Sequence, residues 1–212
     1  MNYLDIVNSV LRKVREDEVL TADESEYSKV IEGFVLATKR EMESAHQWST
    51  LRTTIALSVT TGDPSWSMTG AGKRYTVDDI YDATNNVFLL PIMAIQGRRK
   101  NADGDSGTPT HYWFEGVDSS GDAIILLTPE PNDSFTINCN LFVPQTDTLA
   151  DGDEVTMDEW PIILGAYAKA VAERGEDQGR TSGEMLQQYQ SALADAIGLD
   201  IARNWGEDVW HV

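Results

Sequence analysis

The groups in this sequence with reactive potential are three histidines, one cysteine and two short polar loops. His46, His111 and His211 are scattered, and none stands in an HExxH or other metal-binding spacing, so each reads as a satisfied or exposed side chain. Thr69-Gly70-Ala71-Gly72-Lys73-Arg74 has the flavour of a phosphate loop. It lacks the first glycine, and Arg74 stands where Ser or Thr would hold magnesium, so a flexible turn is expected. Asn101, Asp103 and Asp105 alternate as calcium-loop ligands do. Ser106 replaces the required glycine, however, and no Glu stands at the twelfth position. Cys139 has no base partner visible in the sequence and falls on the apolar side of a strand pattern, where a buried inert thiol is expected. There is no G-x-S-x-G elbow, and carboxylates are too plentiful to single out a pair. The sequence therefore points to no catalysis, no cofactor and no metal.

Trp66, Tyr75, Tyr112, Trp113 and Phe114 admit two readings. They could form a platform for stacking sugars, or they could fill the core of a small sheet, and the second is the commoner use of such residues.

The groups just named sit in a chain of 212 residues with net charge −19 and pI near 4.3. A surface that acidic repels nucleic acid and anionic membranes. It serves solubility, or a surface that must pass DNA without holding it. MNYLDIVNSVLRKVRE lacks the basic start and apolar centre of a signal peptide. The longest apolar run, VFLLPIMAI at 87–95, contains a proline and is too short to span a membrane. A single cysteine allows no disulfide within the chain. A cytosolic origin is expected.

Two kinds of periodicity divide the chain. Leu4, Val7, Leu11 and Val14 line one side of a short helix. Thr21-Ala22-Asp23-Glu24 fits a capping box for a second helix, expected over 23–48, with Tyr27, Val30, Ile31, Phe34, Val35, Thr38, Met42 and Ala45 as its apolar stripe. From residue 51 the period drops to two: Ile55, Leu57 and Val59 alternate with polar or small residues. Thr76-Val77-Asp78-Asp79 reads as one helical turn, Asn85-Asn86 as a turn before a strand at 87–90, and 101–107 as a polar loop. Tyr112, Trp113 and Phe114 mark a further strand, turned by Ser119 to Asp122. The stretch 121–144 reads as a β-hairpin. Its turn is Pro129-Glu130-Pro131-Asn132-Asp133, and Phe135, Ile137, Cys139, Leu141 and Val143 alternate on its second strand. Helical spacing returns with Trp160, Leu164, Tyr167, Ala168 and Val171, then with Leu186, Tyr189, Leu193, Ile197 and Ile201.

The expected architecture is α+β: an antiparallel helical bundle (1–50 and 155–204), an inserted small antiparallel β domain (51–154) and an extended C-terminal tail (205–212). Such a chain presents two different surfaces, which suits a piece that joins two unlike neighbours.

Three stretches, taken in order, carry a family likeness. LDIVNSVLRKVRE resembles the opening helix of phage head-to-tail adaptors, also called tail tubular or neck adaptors of short-tailed phages. GTPTHYWFEG followed by ILLTPEPNDSFTINCNLFVP is similar to that family's Gly-x-Pro-x-x-Tyr strand, Pro-x-Pro turn and next long strand. DEWPIILGAYAKAVAERGEDQG with QQYQSALADAIGLD is similar to its paired helices. The order of these weak motifs persuades more than any one of them, and residues 62–86 match none.

The resemblance implies a structural virion protein, made in the host cytoplasm and located in the neck of the particle. It implies a ring of identical subunits, expected to be dodecameric, beneath the portal protein and joined to the tail nozzle or next tail component. DNA would pass through the channel without specific binding. Trp205, Val209, Trp210 and Val212 of the tail are then expected to contact the portal or a neighbouring subunit. Pro129, Glu130, Pro131, Asn132 and Asp133 are expected at an exposed end of the β block, facing the tail side or a neighbour. The competing readings are a carbohydrate- or receptor-binding virion module using the aromatics named above, and a peptidoglycan-cleaving enzyme that would need an essential Glu or Asp.

Overall fold

A computed structural model describes residues 1–63, 65–175 and 180–204. The protein is α+β. In chain order it runs through helices α1 (Tyr3–Lys13) and α2 (Glu26–Ala45), a 3-10 turn at Ser49–Leu51, and strands β1 (Arg52–Val59), β2 (Ser65–Ser67), β3 (Thr76–Asp82), β4 (Val87–Phe88) and β5 (Leu90–Pro91). Helix α3 (Ala94–Ala102) follows, then β6 (Ser106–Gly107), β7 (His111–Val117), β8 (Ala123–Thr128), β9 (Glu130–Pro131) and β10 (Phe135–Phe142), and finally α4 (Glu159–Arg174) and α5 (Arg180–Asn204). The chain divides into two compact units, one made of residues 1–50 with 145–212 and the other of residues 51–144.

The helical unit is organised on α4, which packs against α1, α2 and α5. Asp158 caps α4 by accepting from the Trp160 amide at 3.0 Å, Pro161 occupies the first turn, and Gly175 ends the helix at φ 63°. Residues 161–166 of α4 are buried on every side, so α4 is a central helix rather than an amphipathic one. Its neighbours approach closely because Gly165 has no Cβ: one placed there would overlap Thr38 Cγ2 of α2 and come within 3.0 Å of the Tyr189 ring of α5. Trp160, expected on the buried face, is instead half exposed.

Helix α1 starts at Asn2, whose side chain accepts from the Asp5 amide at 2.7 Å. Helix α2 starts later than the Thr21–Glu24 pattern suggests. Ser25 and Ser28 form the capping box, while the Glu24 carboxylate turns back to the Leu20 amide. Two charged residues, Lys39 and Glu43, lie buried on α2 beside Val35 and Met42. Lys39 Nζ is 2.8 Å from Glu43 Oε1 and donates to the carbonyls of Gln145 (2.9 Å) and Thr146 (3.2 Å), while the Gln145 amide donates to Glu43. This pair fastens the segment at 145–146 to α2.

The β unit holds two four-stranded sheets around one core. Their orders are β1-β10-β3-β4 and β2-β8-β7-β5. The long strands pair antiparallel throughout, with Arg52 opposite Phe142 and Val59 opposite Phe135. Two short pairings, β5 with β7 and β6 with β9, are parallel. Residues 76–79, read as a helical turn, belong to β3, and α3 lies where no helix was expected, its last two residues entering the loop read at 101–107.

The stretch 121–144 is not a hairpin. β8 pairs with β7 and β2, and β10 pairs with β1 and β3, so the two strands belong to different sheets. Ile125 and Leu127 of β8 meet Ile137, Cys139 and Leu141 of β10 in the shared core. Placing both strands side by side in one sheet would lose that face-to-face burial. The Pro129–Asp133 connection is a corner between sheets, beginning with a cis Thr128–Pro129 peptide.

Candidate functional site

Helix ends and strand edges place the reactive groups of this chain, and several of those among the described residues are engaged by neighbours. His46 lies just past α2, where its Nε2 is 3.1 Å from Asp200 of α5 and its ring meets Trp48 edge-on. The Ser49 hydroxyl and amide also bind Asp200, at 2.5 and 3.2 Å. Burial alone would push the Asp200 carboxyl up, but the donors from Ser49 and His46 outweigh it and hold the group below its ordinary value. His111 bonds Thr110, and burial together with nearby Lys100 pushes its pKa down. His211 lies outside the described residues.

Loop chemistry resolves the same way. The amides of Gly70 and Gly72, which would cradle a phosphate, face the carboxylate of Asp122 at 3.4 and 3.2 Å. Of the calcium-like trio, Asn101 lies in the last turn of α3 and donates to the Leu127 carbonyl, Asp103 caps that helix, and the Asp105 carbonyl accepts from the Glu130 amide. Among the described residues no group of three His, Cys, Asp or Glu is arranged to hold a metal ion. Cys139 is fully buried, and desolvation pushes its thiol up to about 12.

The aromatic residues go to packing. Tyr112 and Trp113 are buried. Trp66, Tyr75 and Phe114 are half-buried against the core, with Phe114 edge-on to both Tyr75 and Tyr112. The Trp113 ring lies against Gly97 of α3, and its indole donates to Glu115 at 3.1 Å.

The surfaces therefore carry the functional information. Residues 1–209 match a family described as SU10 adaptor protein. The chain belongs to the SU10 adaptor protein family. The match spans both units and agrees with the resemblance to phage head-to-tail adaptors read from the three ordered motifs. Among curated proteins none matches this adaptor.

Several surface features of the adaptor stand out. The corner at 129–133 is only partly exposed: Asn132 and Asp133 are open, Pro129 and Glu130 are half-buried and Pro131 is buried. Glu130 donates to the Asp105 carbonyl, Asn132 to that of Gly107, and the Pro131 carbonyl accepts from Gly62, so three loops are knit there. Trp205, Val209, Trp210 and Val212 lie outside the described residues. Sequence reasoning missed the run 87–95, where Phe88, Leu90, Met93 and Ile95 are exposed. Its composition had been weighed only as a membrane span, although edge strands with apolar side chains also signal contact surfaces. No helix among the described residues is long and apolar enough to cross a membrane.

Proposed function

We propose that the chain is a head-to-tail adaptor subunit, part of a ring, expected to be dodecameric, that joins the portal to the tail nozzle or next tail component and surrounds the DNA channel. The match to an adaptor family over residues 1–209 carries this reading. Charge supports it. The helical unit has 24 Asp and Glu against 10 Lys and Arg, and the β unit has 11 against 6, so both carry net negative charge. A channel wall of that sign does not retain phosphate.

In this reading residues 1–50 and 155–204 form an antiparallel bundle, 51–154 an inserted β domain, and 205–212 an extended tail. Trp205, Val209, Trp210 and Val212 anchor the tail in the portal or an adjacent subunit. Pro129, Glu130, Pro131, Asn132 and Asp133 lie toward the tail side or a neighbour. The subunit is synthesised in the host cytoplasm and ends in the neck of the virion.

The test is electron microscopy of portal rings mixed with the full chain and with a chain lacking residues 205–212. Decoration by the full chain with portal-matched symmetry, lost on deletion at nearly unchanged thermal stability, is expected. Portals that stay bare with the full chain would sink the adaptor reading; full decoration by the shortened chain would sink the tail assignment alone.

A further inference from the structure

One segment closes both sheets of the β unit. β4 is one of the two outer strands of the first sheet and β5 one of the two of the second. Leu89 between them is turned inward, while Phe88 is 62% exposed, Leu90 59%, Met93 70% and Ile95 60%. Outer strands are usually guarded by charge or proline, and β4 has neither. Directly after this run, α3 presents Arg98, Arg99 and Lys100 to solvent. Arg98 is paired with Glu115. Arg99 and Lys100 carry no ion pair among the described residues. The result is an apolar patch with a basic rim on an acidic protein.

The helical unit carries its complement. A hollow of about 340 Å³ lies between the last turns of α5 and residues 155–159. Its lining is mixed: Trp48, Val155, Met157 and Ala196 are buried there, Leu199 is its exposed apolar residue, and Asp158 and Glu159 give it an acidic rim. Leu199 is 60% exposed. Asp200 also lines the hollow but is engaged by Ser49 and His46, and Arg203 is the cation lining it.

We propose that the face of Val87–Lys100 in one copy docks over this hollow on the helical unit of a second copy. Met93 and its exposed apolar neighbours meet Leu199, and Arg99 and Lys100 meet the Asp158–Glu159 rim. A second copy is the occupant because its helical unit supplies the acidic complement that the basic rim requires, on a surface of net charge −14. The contact joins unlike surfaces, which is the head-to-tail type that closes into a ring when its rotation allows. It gives the proposed adaptor ring a specific subunit contact and rests on that reading for its place in the particle.

Disulfide trapping tests it on the full chain without portal. Met93→Cys and Leu199→Cys chains of different tag length are mixed at high concentration and oxidised; the buried Cys139 stays out of the reaction. Cross-linked heterodimer should exceed that of a Val117→Cys and Leu199→Cys control by about tenfold, since seated and random encounters differ by at least that factor. Arg99→Glu with Lys100→Glu should cut the yield about fivefold, and Glu159→Lys on the other chain should restore much of it, as rim charges set encounter. A yield equal to the control, an equal yield of Met93→Cys homodimer, or insensitivity to charge reversal would each overturn the contact. Failure here with portal decoration intact removes this contact and leaves the adaptor reading standing.

Discussion

Lys39 and Glu43 face each other one turn apart inside the helical unit, 2.8 Å from nitrogen to oxygen and both shielded from water. Each is also tied to the backbone at 145–146, so the pair holds a chain crossing as well as itself. Removing one partner leaves a buried charge without compensation. Lys39→Met should destabilise the protein by about 3–5 kcal/mol, measured by urea unfolding. Lys39→Met with Glu43→Leu should recover part of that loss. A single variant within experimental error of wild type would show that the site admits water.

Asp200 links stability to acid. Its folded pKa is depressed below the ordinary 3.8, so its contribution is present above that value and is lost as pH falls through the folded value. Asp200→Asn should lower Tm at neutral pH and flatten the fall of Tm as the pH drops below about 4, the ordinary carboxylate value. Melting curves of the two proteins that stay parallel across that range would contradict the assignment.

Gly165 and Gly97 are contact points with no room for a methyl group. A Cβ on Gly165 would overlap Thr38, and one on Gly97 would overlap the Trp113 ring. Alanine is the better helix former, yet Gly165→Ala and Gly97→Ala should each destabilise by about 1–3 kcal/mol through overpacking. Gly33 of α2 meets nothing within 4 Å. Gly33→Ala should stabilise by about 0.5–1 kcal/mol. Thermal melts of the three variants test the ordering.

Cys139 should be inert to thiol reagents in the folded protein at neutral and moderately alkaline pH, because burial has pushed its ionisation to about 12. Denaturant should expose it to complete modification. Rapid labelling of native protein at neutral pH would mean that the core of the β unit opens.

Helix and strand periods were legible where one face is buried, as in α1, in the stripe of α2 and in the alternation of β10. Strand partnership was not. β1 pairs with β10 across most of the β unit, a choice made by the shared core and not by any local turn. Sequence proximity therefore favoured a hairpin that does not exist. Helix α3 was missed because it has no apolar stripe; Gly97 is its only buried residue. Lys39 and Glu43 were passed over as charged, although both fall on the buried stripe through Ile31, Val35 and Met42, and that position was the available signal. Of the candidate surfaces, the polar corner at 129–133 was singled out for its turn chemistry, while the apolar run at 87–95 needed the sheet order to reveal both its strands as outer ones.

The central position of α4 bears on how the chain is made. α1 and α2 precede the β unit in the chain, but α4, the helix that packs against both, follows the entire β unit. A chain broken off anywhere before Glu159 leaves Ile6, Val10, Ile31 and Val35 without their cover. The two halves of the helical unit thus meet chiefly through a helix that lies beyond the β unit in the chain.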